Sequence, residues 1–200
     1  MISFLISAIK IIFLLGFLIG IHETGHFLIA KLCKVRVNEF AIGFGPVIWK
    51  KQGKETKYEL RLIPLGGFVN MEGEAEQSEK EGSFTKASIP RRIAIVAAGA
   101  LVNIIFAIIV YFILAMTVRG NITNAVVGNR VLDADNFGNR LYFASYNTKE
   151  FMLSIAESVK QLFTGKVSSA ELVGPVGISE VVAKTNGFRE FIYILAAISI

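Results

Sequence analysis

Of 200 residues, 53% are hydrophobic and only 18% charged, and the mean hydropathy is +0.56; a water-soluble domain carries about 25% charged residues, so the composition points to a membrane. The net charge of +5 is accounted for by Lys and Arg that flank membrane spans and face anionic lipid, and no recognisable nucleic-acid module accompanies them. The single cysteine, Cys33, excludes an internal disulfide.

The first predicted element is residues 11–30, IIFLLGFLIGIHETGHFLIA, bounded by Lys10 and Lys31. Twenty residues at about 1.5 Å each cover roughly 30 Å, the hydrocarbon thickness, so this segment is expected to cross. A cleavable signal peptide would want a basic residue before a shorter apolar core. Residues 1–9 hold no Lys or Arg, and the apolar block runs on into HETGH. Gly16 and Gly20 form GFLIG, a spacing suited to helix packing.

His22, Glu23 and His26 are the ionisable groups within that span, and the two histidines are the only ones in the chain. Spaced i, i+4, they project from one helix face about a turn apart and can share one metal ion. This is the HExxH arrangement: the imidazoles hold zinc, and the glutamate takes a proton from the metal-bound water, whose pKa zinc lowers to about 7. The alternative is a set of packed polar residues between helices. Intramembrane ionisable groups are costly and tend to mark function, which favours the metal. By helix rise the metal is expected roughly 7–14 Å below the interface marked by Lys31.

Residues 31–92 carry twelve Lys/Arg, so the positive-inside rule places this loop in the cytoplasm and the N-terminus outside. Within it, Tyr58, Leu60 and Leu62 alternate with Glu59 and Arg61, the period of a half-buried strand, and KKQGK at 50–54 is expected to turn it back on residues 35–48 as a hairpin. Gly43, Gly45, Gly66 and Gly67 suit either plain turns or close backbone approach to the site. An exposed strand edge can hold an extended peptide through main-chain hydrogen bonds.

Residues 93–118 are free of charge over 26 positions and lie between Arg92 and Arg119, which predicts a second span running outward. Asn103 lies about 16 Å deep by helix rise, nearly level with the histidines. Gly99, Asn103 and Ala107 share a face that permits close helix approach; Asn103 is read as a donor to a substrate carbonyl or a ligand, or as a simple interhelical contact. Beyond it, residues 151–163 place apolar side chains opposite Glu157, Lys160 and Gln161, an amphipathic helix expected on the outer membrane surface or packed on the spans. GPVG at 174–177 reads as a turn, and FIYILAAISI from Phe191 begins a third apolar segment. Ten residues reach about 15 Å, half a bilayer, so the chain is expected to stop inside a third span.

HETGHFLIAKL, VNEFAIGFGPVIW, YELRLIPLGGFVNMEGE, GSFTKASIPRRIAIVAAGALVN and TGKVSSAELVGPVGISE, in that order, together resemble the site-2 protease family of intramembrane zinc metalloproteases, particularly its bacterial envelope-stress branch. The resemblance implies that His22 and His26 are Zn2+ ligands and Glu23 the catalytic base, with the cytoplasmic loop dipping into the membrane near the metal. It implies a third ligand, an Asp of an LDG-type motif in the following transmembrane segment, expected beyond Ile200. The implied partners are the lipid bilayer and a transmembrane substrate such as a trimmed anti-sigma factor or a signal-peptide remnant. The sequence departs from that branch in leaving too few unmatched residues after the second span for a PDZ domain, and in reading GALVN where a Gly-Pro usually precedes the Asn.

The reading is therefore a membrane α-helical protein, a multi-span bundle with a small cytoplasmic-side, membrane-associated β-hairpin or sheet. Residues 1–118 hold two spans and the HExxH site, 119–187 an extracytoplasmic loop without a PDZ domain, and 188–200 the start of a third span. Expected function is intramembrane zinc proteolysis at the cell membrane, with the active site near the cytoplasmic face. With two ligands in hand, the 200-residue chain alone is expected to bind metal weakly and turn over little. A non-catalytic membrane protein that binds transmembrane helices is the rival; retention of Glu23 argues against it, since binding has no use for a base.

Overall fold

The computed structural model describes residues 2–117, 125–127, 130–133, 135–164, 181–182, 185 and 187–199. They fall into two compact units, Met1–Ile104 and Ile105–Ile200. The predicted turn at 174–177 lies outside the described residues.

The first unit opens with α1 (Ile2–Leu32), of which Leu5–Leu32 is long and apolar enough to cross a membrane. Helix α2 (Ile89–Met116) meets the same test over its whole length. Both run longer than the charge-free cores in the sequence, because the charged residues that bound those cores, Lys10 and Lys31 on α1 and Arg91 and Arg92 on α2, are good helix formers and do not stop a helix. Helix α2 starts after Ser88, whose carbonyl accepts the Arg92 amide at 3.1 Å, and Pro90 sits in the first turn, where a missing amide costs no intrahelical bond.

Between the spans lie β1 (Val37–Gln52) and β2 (Lys57–Met71). The turn at 53–56 joins Gln52 to Lys57, as KKQGK suggested, and antiparallel pairing continues through Lys50 with Glu59 and Trp49 with Leu60. The element is more than a hairpin, however. Phe40 pairs with Tyr58 on one side and with Val69 on the other, and Ile42 likewise with Leu60 and Gly67. Both strands therefore bend sharply, β1 near 43–46 and β2 near 62–66, and residues 39–42 lie between two stretches of β2. Gly43 (φ 90°), Gly45 (φ 81°) and Gly66 (φ 98°) supply the bends; this backbone region is open to glycine and strained for L side chains.

The alternation in β2 is real, but its sense is the reverse of a water-facing sheet. Leu60 is 42% and Leu62 59% exposed, whereas Glu59 is 4% exposed. Glu59 sits in an ion-pair network instead: Arg61 donates to it from Nε (3.0 Å) and Nη2 (2.8 Å), and from Nη2 to Glu39 (3.1 Å), with Lys57 also paired to Glu59. The Arg61 guanidinium lies 4.9 Å over the Phe68 ring. Lys57 and then Arg61 hold the Glu59 carboxyl down at about 2. With Phe44, Ile48, Trp49 and Ile63 also exposed, the sheet turns its greasy face outward and satisfies its charges inward, which suits hydrocarbon surroundings.

A small core of Ala30, Val35, Val37, Met71 and Ile95, flanked by Phe27, Val69 and Phe84, ties α1, the sheet and the start of α2 together. Thr56 donates to the Val37 carbonyl at 2.7 Å, and Phe27, Phe40 and Tyr58 form an aromatic cluster with centroids 5.0–6.4 Å apart.

In the second unit, β3 (Ala125–Val127) pairs antiparallel with β4 (Arg130–Leu132). Helix α3 (Phe137–Phe163) contains the expected amphipathic segment but begins fourteen residues before Phe151. Helix α4 (Phe188–Ile198) covers the third apolar segment. Tyr111 stacks on Phe151, with centroids 4.2 Å apart and planes 3° from parallel, and also neighbours Tyr193 at 6.0 Å.

Candidate metal centre

The site is built where α1 and α2 touch. Gly25 permits the contact: a Cβ there would lie 2.7 Å from the Ala98 carbonyl oxygen and 3.1 Å from the Gly99 Cα. With the backbones that close, the face of α1 carrying His22 and His26 is pressed against Gly99. A Cβ on Gly99 would come within 2.5 Å of His22 Nε2 and 2.6 Å of His26 Nε2, so only glycine leaves this space open.

The two imidazoles stand edge to face, with planes at 79° and centroids 4.7 Å apart. Their Nε2 atoms are 3.0 Å apart. Two nitrogens bound to one tetrahedral zinc at 2.0–2.1 Å would sit about 3.3 Å apart, so the pair is close to the required spacing. His26 Nδ1 lies 2.7 Å from the Ile95 carbonyl oxygen. A carbonyl can only accept, so Nδ1 carries the proton and Nε2 presents its lone pair, the tautomer a metal ligand needs. Thr24 donates to the Gly20 carbonyl at 2.7 Å, which keeps its hydroxyl out of the site. These donors fit zinc. Among the described residues, no group of three or more His, Cys, Asp or Glu is placed to hold a metal ion.

Glu23 follows His22 and points to the sheet. Its Cγ would lie 3.3 Å from a Cβ on Gly67, and the Val69 main-chain amide neighbours its carboxylate. Glu23 is also near enough to His26 for their charges to interact. The sheet is seated farther along α1 by Gly16, where a Cβ would stand 1.9 Å from the Pro64 carbonyl oxygen. The HExxH helix and the bent sheet thus lie flank to flank for at least ten residues, from Gly16 past His26.

Among the other candidates, Gly67 makes a close approach, Gly43, Gly45 and Gly66 shape the bends, and Asn103 is half-buried on α2 one turn beyond Gly99. Three contributors escaped the sequence reading: the Ile95 carbonyl, the role of Gly99 as the floor of the site, and the Val69 amide beside Glu23. Only Gly99 left a signal, in the small-residue stripe it heads on α2.

The model of peptidase family M50 matches residues 10–200, nearly the whole chain. The chain belongs to peptidase family M50. Among its relatives, Protease RseP of Yersinia pestis is 32% identical over 96% of this chain and 44% of its own length. Regulator of sigma-E protease RseP of Escherichia coli is 43% identical over 56% of this chain and 26% of its own length. A protein of Clostridium acetobutylicum, named as a candidate zinc metalloprotease, is 46% identical over 51% of this chain and 30% of its own length. The chain thus spans less than half the length of the relatives it matches. The family is one of peptidases, the Clostridium relative carries zinc metalloprotease in its name, and two helices of this chain are long and apolar enough to cross a membrane.

Proposed function

We propose that this chain carries the HExxH half of an intramembrane zinc endopeptidase that cuts transmembrane segments of other proteins. The observation that supports this reading is the 3.0 Å approach of the two Nε2 atoms, with the His26 tautomer set by the Ile95 carbonyl and a carboxylate one residue away. When bound, zinc supplies a Lewis acid for the scissile carbonyl and lowers the pKa of a water to about 7. His22 and His26 would hold the metal through Nε2. The Glu23 carboxylate accepts a proton and returns it to the leaving amine, and the Val69 amide orients it while it is charged.

In this reading the third protein ligand is the aspartate of an LDG-type motif that the family resemblance implies. Asn103 steadies the substrate carbonyl from α2. The substrate helix must unwind before its peptide bonds can be reached, and the main chain of the bent sheet, running beside Glu23, offers hydrogen bonds to the extended form. Substrates are trimmed anti-sigma factors or signal-peptide remnants. The N-terminus lies outside, and the site opens toward the cytoplasm, by the distribution of Lys and Arg.

The test is Glu23→Gln in a chain extended past Ile200 to complete the ligand set. Cleavage of a model transmembrane substrate is expected to vanish while bound zinc stays stoichiometric. Equal processing by both forms would end the protease assignment.

A further inference from the structure

The end of α1 contains an unexpected residue. Val35 donates to the Ala30 carbonyl at 2.9 Å and Lys34 to the Lys31 carbonyl at 3.0 Å, the paired bonds of a helix stop whose penultimate position adopts a left-handed backbone and is usually glycine. Here that position is Lys34, with φ 60°, the sole positive-φ residue other than glycine among the described residues. A lysine there carries a conformational cost that glycine would not. Lys31 already places a cation in the last turn of the helix, so the helix dipole does not call for Lys34.

Lys34 is instead shared by two adjoining clefts. One, of about 640 Å³, is lined by Lys31, Lys34, Arg36 and Lys80 with Glu55 and Glu81. The other, of about 330 Å³, adds Lys86 and Arg91. Gly82, with φ 77°, closes the chain over this corner, and its carbonyl accepts the Arg36 amide at 2.8 Å. Three of the cations have carboxylate partners: Lys31 with Glu55 at 2.9 Å, Lys80 with Glu72 at 3.1 Å and Lys86 with Glu79 at 3.1 Å. Lys34 and Arg91 make no ion pair among the described residues, Arg36 only neighbours Glu55 without a direct ion pair, and all three are exposed.

The level is decisive. Lys34 stands two residues past Leu32, where one membrane-crossing segment ends, and Arg91 two residues past Ile89, where the other begins. The clefts therefore lie at headgroup height whichever way the chain is oriented. We infer that this corner is a binding site for the phosphate of an anionic phospholipid, with Lys34 at its centre and Arg36 and Arg91 completing it. Cations at such a surface each strengthen attachment about five-fold. The site rests on membrane residence alone and is independent of the protease reading.

The experiment titrates the purified 200-residue chain, in zwitterionic micelles, with short-chain phosphatidylglycerol, phosphatidylcholine of the same tails, or inorganic phosphate, and reads bound lipid by native mass spectrometry. Phosphatidylglycerol is expected to bind at least ten-fold tighter than phosphatidylcholine. Lys34→Gly should weaken it about five-fold while raising the unfolding midpoint, because glycine suits the backbone there. Arg91→Gln should weaken it comparably, and Glu81→Gln should strengthen it. Equal affinity for the two lipids, or unchanged phosphatidylglycerol binding in both Lys34→Gly and Arg91→Gln, overturns the site. Inorganic phosphate binding as tightly as phosphatidylglycerol overturns the lipid assignment.

Discussion

Gly99→Ala is the sharpest probe of the metal centre, because its local and tertiary effects have opposite signs. In an isolated helix the change would stabilise α2 by about 1 kcal/mol. In place, the new methyl would stand 2.5 Å from His22 Nε2 and 2.6 Å from His26 Nε2, where ordinary contact begins at 3.4 Å. Relieving a shortfall of about 0.9 Å means turning an imidazole off its rotamer or parting the helices, and overpacking of this kind costs about 1–3 kcal/mol. Net stability is thus expected to be unchanged or to fall by up to about 2 kcal/mol. Zinc binding should suffer more. Ligand distances tolerate about 0.2 Å, so a displacement several times larger removes a ligand, and affinity should drop at least about 100-fold, beyond the 10–100-fold typical of lost supporting contacts. Competition with a chromophoric zinc chelator measures the affinity, and thermal unfolding in detergent measures stability. Gly20→Ala is the control, since a Cβ there meets nothing within 4 Å. If Gly99→Ala binds zinc like the parent and unfolds at a higher temperature, the geometry argued above is wrong.

Gly16→Ala should leave zinc affinity nearly intact, because the clash is with the Pro64 carbonyl, but should shift β2 along α1 and abolish cleavage in a completed chain; limited proteolysis at 62–66 reports the displacement. Lowering pH should loosen the loop after β2. Hydrogen bonds from Ser78, Asn38 and Lys80 hold Glu72 at about 2; with its folded pKa depressed, its contribution is complete above the unfolded value of about 4.3 and disappears as pH falls toward 2. Hydrogen exchange over 71–86 should rise in that window, and Glu72→Gln should flatten the change. Extending the chain past Ile200 with an LDG-type segment should raise zinc affinity at least ten-fold, and an Asp-to-Ala change in that segment should cancel the gain.

Much of this architecture could be read from the residues. The two long apolar helices were legible because uncharged runs of this length fix a helix at least 18 residues long, and the histidine pair because i, i+4 spacing fixes a common face on any helix. What period two in β2 could not reveal is which side of the strand faces in. Tyr58, Leu60 and Leu62 would be the buried set of a water-facing sheet, and it is the pairing with Lys57 and Arg61 that makes Glu59 the inner residue. The bends were hidden as well, since Gly43 and Gly66 signal a turn without saying that each strand doubles back to pair twice. Gly99 was visible only as a small residue; its meaning depends on what α1 presses against it. Helix α3 was recognised from Phe151 onward, because FGNRLYFASYNTKE mixes aromatics and polar groups without a clean stripe.

The outward-turned sheet has a consequence for biogenesis. Residues 37–71 excised from their helices would carry Phe44, Trp49 and Leu62 into water with nothing to shelter them, and strand edges ready to recruit neighbours. Exposed as it is, the sheet has the composition of an element that gains by pairing beside its flanking helices rather than alone in water.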